Sequence, residues 1–283
     1  MNPPRRQYLS TADAAALLGV GATSVKRWAD LGLLRCVRTA GNHRRFTPDE
    51  VHRFANSLQG GQSTAPTFQA EHLPPSEHVM RWTDRLLALG PIALHDALCA
   101  ERTALGGWWH VADIIGAALG ELGERWLCGE IGVIDEHLAS ERLTRALARC
   151  SEAMSDAAGR PAAVLATAEG EEHTLGLALA ELVLREAGYT VDWVGRNAPA
   201  EQLAAHVQRR PPALVALSAS PCRQDAAALR VAALPIAHAC QATSTRLILG
   251  GTGHWPADLP QAQRVHNFAD LHETLGRCAQ RVH

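Results

Sequence analysis

One stretch, Ala163 to Ala187, narrows the choice of fold more than any other. Ala163-Val164-Leu165-Ala166-Thr167-Ala168 is an apolar run of the right length for a buried strand. A polar loop follows, Glu169-Gly170-Glu171-Glu172-His173-Thr174-Leu175-Gly176, and it opens an Ala/Leu-rich helix running to Ala187. Strand, loop and helix in this order form the first half of a Rossmann-like unit. In such sheets ligands sit beyond the carboxyl ends of the strands. His173 stands at that end, and Glu171 is placed two residues earlier to accept a hydrogen bond from one imidazole nitrogen. A partner of this kind sets the tautomer and makes the other nitrogen a better metal ligand. Gly176 has no side chain, so a large flat group can approach the helix closely.

Two further strand-like runs end in small residues: Ala213 to Leu217 before Ser218-Ala219-Ser220, and Arg246 to Leu249 before Gly250-Gly251-Thr252-Gly253. The loop around His173 resembles the Asp/Glu-x-His-x-x-Gly loop of the cobalamin-binding domains. For the short motif taken alone, a solvated histidine beside two acids is the plainer alternative. The resemblance implies that His173 is the lower axial ligand of cobalt, with Glu171 behind it and Gly176 beside the corrin. It also implies that Ser218, Ser220, Gly250, Gly251 and Thr252 accommodate the nucleotide tail.

The amino-terminal segment carries a different set of signals. Ser10 and Asp13 form a capping pattern before a short helix, Gly19-Val20-Gly21 breaks it, and Ala22 to Leu31 reads as a second helix. This is a helix-turn-helix, whose second helix would enter the DNA major groove. A β-like run to Arg38, a turn through Gly41-Asn42-His43-Arg44-Arg45 and a capped helix at Thr47-Pro48-Asp49-Glu50 follow. Trp28, Gly32-Leu33 and Arg44-Arg45-Phe46 make this head similar to the MerR family. Asn42 replaces the family's second wing glycine and tolerates a left-handed turn. By resemblance, His43, Arg44 and Arg45 belong to the wing that touches phosphates or the minor groove. Ser24, Lys26 and Arg27 work at or near the major groove. Charge agrees with this. Met1 to Glu50 holds eight Lys/Arg against four acids, a local +4 in a chain of net −2. A basic head on an acidic body suits a polyanionic partner.

Gln59 to Pro75 is rich in breakers and poor in apolar residues, as expected for a tether. From His78 onward the pattern is helical. Apolar stripes predict helices through Val79–Leu87, Ile92–Leu105, Val111–Trp126 and Ile134–Ala153, a four-helix bundle. Trp126 ends one helix, and Glu136-His137 begin the next. This spacing, followed by Leu138-Ala139-Ser140, resembles the helical cap of CarH-type cobalamin photoreceptors. There the tryptophan covers the upper face of cobalt beside the 5′-deoxyadenosyl group, and Glu-His contacts that group. One departure matters: in the best-known light sensors the residue after the tryptophan is a histidine that ligates cobalt after photolysis, and here it is Leu127.

The seven cysteines are scattered, without a Cys-x-x-Cys pair, and read as reduced small hydrophobes rather than disulfides or a zinc site. No apolar run approaches ~18 residues and no signal peptide is evident, so a cytoplasmic protein without membrane contact is expected. The expected architecture is multidomain. It places a winged helix-turn-helix head at 1–57, a linker at 58–76, a four-helix bundle at 77–157 and a Rossmann-like α/β domain at 158–283. The function this implies is a cobalamin-dependent, light-responsive transcriptional regulator, expected to repress and not an enzyme. Adenosylcobalamin is the expected cofactor, with methyl- or hydroxocobalamin as alternatives. Operator DNA and further copies of the chain, as dimer or tetramer, are the expected partners. A light-independent cobalamin sensor and a corrinoid methyl-transfer protein are the alternative readings. Leu127 keeps the first alive and the DNA-binding head argues against the second.

Overall fold

The computed structural model of the chain describes residues 8–18, 25, 29, 34, 36–38, 44–48, 50–52, 54, 77–154, 159–220 and 226–279. These fall into two compact units. Met1–Pro74 with Gly123–Val133 form one, and Pro75–Leu122 with Ile134–His283 form the other.

In the first unit, Thr11–Leu18 forms α1. The capping box closes as the sequence predicts. Asp13 N–H donates to Ser10 Oγ at 3.2 Å, while Ser10 N–H and Oγ donate to the Asp13 carboxylate at 2.9 and 2.7 Å. Those bonds, with the Arg45 charge adding, hold the Asp13 carboxyl below its ordinary range. Val37–Arg38 (β1) pairs antiparallel with Arg44–Arg45 (β2), and Leu9 and Phe46 exchange backbone hydrogen bonds of 2.8 and 3.0 Å. Thr47 Oγ1 accepts from Glu50 N–H at 3.3 Å and starts the next helical segment at Pro48. Ala14, Ala15, Val25, Leu34, Phe46 and Val51 form the core of this unit, and Leu127 packs against it.

The second unit begins with Glu77–Ala88 (α2) and Pro91–Leu105 (α3), followed by Trp108–Cys128 (α4), whose last turn lies in the first unit, and Val133–Glu152 (α5). All four expected helices are present. Gly90 with Pro91 starts α3, and Gly106, at φ +81°, ends it by donating its N–H to Arg102 O. Trp82 Nε1 donates to Glu101 across α2 and α3, and Arg142 on α5 reaches Leu87 O on α2. Thr83, which breaks the apolar stripe of α2, is fully buried because its hydroxyl donates to Val79 O one turn back.

Ala162–Thr167 (β3), Leu175–Glu186 (α6), Thr190–Gly195 (β4), Ala200–Arg209 (α7), Leu214–Ser218 (β5), Ala226–Thr243 (α8), Arg246–Gly250 (β6), Ala262–Arg264 (β7) and Phe268–Ala279 (α9) complete the chain. The strands form one parallel sheet in the order β4-β3-β5-β6-β7. Val164, Ala166, Val215, Leu217, Leu247 and Leu249 face α7 and α8 in one core. Alternate residues such as Ala163 and Leu165 point to the opposite face and are also buried, which is why β3 reads as an unbroken apolar run. The bundle helices are tied to α6 and α9. Glu186 accepts from the Arg102 guanidinium and from Trp108 N–H, and Asp113 accepts from the backbone N–H groups of Phe268 and Ala269. Among the described residues no helix is long and apolar enough to cross a membrane.

Candidate functional site

Strand order decides where a ligand can sit. Numbered within its own domain the sheet runs 2-1-3-4-5, so successive strands diverge between β3 and β5. In doubly wound sheets the crevice at such a switch point, outside the carboxyl ends of the strands, is the ligand site. The loop after β3 carries Glu171 and His173, and the loop after β5 carries Ser218, Ala219 and Ser220.

Those two loops are joined through one carboxylate. Glu171 is 2% exposed. It accepts from His173 N–H at 2.9 Å, His173 Nδ1 at 2.6 Å, Ser220 N–H at 2.8 Å and Ser220 Oγ at 2.7 Å. Burial alone would raise its pKa. The hydrogen bonds from His173 and Ser220 outweigh that and hold the carboxyl at about 2. An ionised carboxylate only accepts, so Nδ1 carries the proton and Nε2 holds the imidazole lone pair. The His173 side chain is 66% exposed, so that lone pair is accessible.

Further bonds hold the loop, and the sequence reading missed them. Thr167 Oγ1 donates to Glu171 O at 2.6 Å and accepts from Asn197 N–H at 2.8 Å. Asn197, in the left-handed region at φ 51°, accepts from Gly170 N–H at 2.6 Å. Glu169 accepts from Ala200 N–H at the start of α7. The Asn-x-Pro sequence at 197–199 is a turn signal that could have pointed to Asn197. On the β6 side, Gly250 lies beside Leu217 O, and Gly251, at φ +75°, lies against Ala219 and Ser218. Arg264 crosses from β7 to donate to the backbone carbonyls of Leu249 and Gly251. Trp255 Nε1 donates to Gly250 O at 2.8 Å. Thr252 is exposed on this loop.

These features fit a corrinoid with an imidazole beneath its metal. The lone pair faces outward with its tautomer fixed. A Cβ built on Gly176 would meet only Ser218 Oγ, at 4.0 Å, so the wall between α6 and β5 is made of the smallest residues.

On α5, Glu136 accepts from Ser140 Oγ at 2.7 Å and pairs with His137 Nδ1 at 2.7 Å. Beside them Ile134 and Leu138 are exposed apolar side chains at 65% and 45%. Trp126 stands half-buried near the end of α4. In the head, Ser24, Lys26, Arg27 and His43 lie outside the described residues. Arg44 and Arg45 lie on β2, both half-buried.

Comparison with known proteins agrees with this geometry. The B12 binding domain family matches residues 161–268, a second B12 binding domain family matches 110–151, and a helix-turn-helix domain family matches 8–59. The chain is 27% identical over 229 residues to the HTH-type transcriptional repressor CarH of Myxococcus xanthus, covering 72% of this chain and 76% of that one. It is 28% identical over 218 residues to the repressor CarA of the same organism, covering 72% and 74%. The monomethylamine corrinoid protein of Methanosarcina barkeri shares the fold at a TM-score of 0.50 and 16% identity, over 72% of this chain and 100% of that one. The class is therefore a cobalamin-binding transcriptional regulator with a helix-turn-helix head. More narrowly, its modules and its two matched relatives make it similar to regulators of the CarH type. Both curated relatives are named as repressors, in keeping with a regulator and not an enzyme.

For the head, replacing Arg44 or Arg45 by alanine is expected to weaken binding to all double-stranded DNA and to flatten the salt dependence by about one unit per lost phosphate contact. Affinity measured across a salt series checks this, and an unchanged slope in both variants would take the wing out of the interface.

Proposed function

We propose that the chain is a light-responsive repressor that holds adenosylcobalamin with His173 Nε2 as the lower axial ligand of cobalt. The observation that carries this reading is the Glu171–His173 pair at the switch point, with Nδ1 bonded to a buried carboxylate and Nε2 exposed. Ser218, Gly250, Gly251 and Thr252 border the nucleotide tail, while Ser220 holds Glu171 in place. Gly176 gives the corrin room. Trp126, Glu136 and His137 shield the upper ligand. When bound, adenosylcobalamin supplies a cobalt–carbon bond that light can break. The regulatory consequence is a change in self-assembly. Several weakly binding heads joined in a dimer or tetramer hold a repeated operator far more tightly than one head does. Ser24, Lys26, Arg27, His43, Arg44 and Arg45 form the DNA-contacting set, and the cytoplasm is the compartment in which this operates. The division into head (1–57), linker (58–76), bundle (77–157) and cobalamin domain (158–283) is part of the same reading.

A second reading is favoured by one observation. Leu127 packs against the core of the helix-turn-helix head, so the position that would offer an upper cobalt ligand serves the head instead. That arrangement suits a regulator that senses cobalamin without light.

One experiment separates the two. The purified chain is loaded with adenosylcobalamin and illuminated with green light, and its absorption, mass in solution and DNA affinity are followed. Changes in mass and DNA affinity that accompany photolysis support the light sensor. Photolysis with neither change would replace it by the light-independent sensor. His173→Ala is expected to weaken cobalamin binding and move the bound spectrum towards the base-off form. An unaltered spectrum would reject His173 as the ligand.

A further inference from the structure

His95, Cys99 and Cys150 lie outside the site described above, yet their ligating atoms all fall within 4.8 Å of one another. His95 and Cys99 stand one turn apart on α3 and so share a face, and Cys150 comes from the last turns of α5. We propose that these three side chains form a zinc site, with Nε2 of His95 and both sulfurs as ligands and a water in the fourth position.

The geometry is close to what the ion requires. With Zn–S near 2.3 Å and Zn–N near 2.0 Å, tetrahedral ligands stand roughly 3.5–3.8 Å apart. His95 Nε2 and Cys99 Sγ are 3.7 Å apart. The other ring nitrogen, Nδ1, bonds to Asp96 Oδ1 at 2.9 Å. That is the carboxylate–histidine arrangement that turns Nε2 towards a metal. Cys150 is 2% exposed, while Cys99 and His95 are half-buried. An ion would therefore sit against the bundle core with a path to solvent along α3, and that opening leaves room for the water. Sulfur and imidazole donors suit a soft, tetrahedral ion far better than magnesium or calcium.

A redox pair is the competing reading of two neighbouring thiols, but it gives no part to His95, whose Nε2 meets Cys99 Sγ while Nδ1 is held by Asp96. Burial, with Cys99 adding, pushes the Cys150 thiol up to about 12. A bound cation supplies the positive charge that releases the proton. The sequence reading found no zinc site because no two cysteines stand near each other along the chain. Only the packing of α3 against α5 assembles the set.

The test uses the full-length chain loaded with cobalamin, so that cobalt reports intact folding independently of zinc. Reduced protein is titrated with zinc against a chromophoric chelator, and metal content is read by elemental analysis. One zinc per chain is expected. His95→Gln and Cys99→Ser should each abolish that equivalent while cobalamin loading persists. Asp96→Asn should weaken zinc binding about 10- to 100-fold. X-ray absorption at the zinc edge should show two sulfurs near 2.3 Å and imidazole nitrogen. A zinc equivalent that survives both His95→Gln and Cys99→Ser overturns the proposal. So does a reduced wild-type chain that takes up no zinc.

Discussion

Alanine at Gly251 is expected to destabilise the α/β domain by about 4 kcal/mol. Two costs combine. The backbone there lies at φ +75°, where a residue with a Cβ pays about 1–3 kcal/mol. The added Cβ would also stand 2.2 Å from Ala219 O and 3.0 Å from Ser218 Oγ, overpacking that costs a further ~1–3 kcal/mol. Relief by a backbone shift is blocked on both sides of the loop. Gly253 N–H donates to Ala219 O at 2.9 Å, and Arg264 donates to Gly251 O. Equilibrium unfolding in urea should show the change as a lower midpoint with an unchanged slope. A stability within ~1 kcal/mol of the parent would mean that the loop repacks freely. Gly176→Ala provides the contrast. Its Cβ would meet only Ser218 Oγ at 4.0 Å, within a helix where alanine is favoured over glycine by about 1 kcal/mol. Stability should hold or rise while cobalamin binding falls, because only the corrinoid needs that space.

Glu171→Gln should remove a pH dependence that the parent shows. The carboxyl sits at about 2 in the folded chain against an ordinary 4.5. A depressed carboxyl contributes stability above its unfolded pKa and loses it as pH falls through the folded one. That contribution is about 3 kcal/mol at neutral pH and fades between about pH 5 and pH 2. Glutamine lacks the charge and has a single acceptor oxygen, so either the Ser220 pair or the His173 pair of donors meets an NH2 instead of an acceptor. The variant should therefore be less stable at pH 7 and have a flatter stability profile between pH 5 and pH 2. A neutral amide also holds Nδ1 of His173 less firmly than the carboxylate does, and cobalamin affinity should drop about 10- to 100-fold. Parallel stability profiles for parent and variant across that window would show that Glu171 is not the group that matters.

Where a signal is local, the chain announces itself. The Ser10–Asp13 box, the Thr47–Glu50 cap, the Gly90-Pro91 start of α3 and the Gly106 end each depend on atoms within four residues of one another. The bundle helices and β3 match the elements read from periodicity for the same reason. His173 and Glu171 were legible too, because a two-residue separation on one loop already determines that they can bond. β7 was not, since its three residues, Ala262–Arg264, carry no apolar alternation and gain their pairing only from β6. Asn197 and Arg264 were missed because each bonds to a loop elsewhere in the chain, and Thr167 because it closes an apolar strand run and reads as part of the strand.

The sequence by itself determined the order of modules, the strand–loop–helix that carries His173 and the charge of the head, all through short-range chemistry. Tertiary structure alone decided the rest. Parallel pairing in the order β4-β3-β5-β6-β7 put the loops after β3 and β5 side by side, so that Ser220 could complete the shell of Glu171. It set Leu127 against the core of the head and gathered His95, Cys99 and Cys150 between two helices. The physical reason is common to all three. Close packing and the burial of polar groups couple residues that no periodicity along the chain relates.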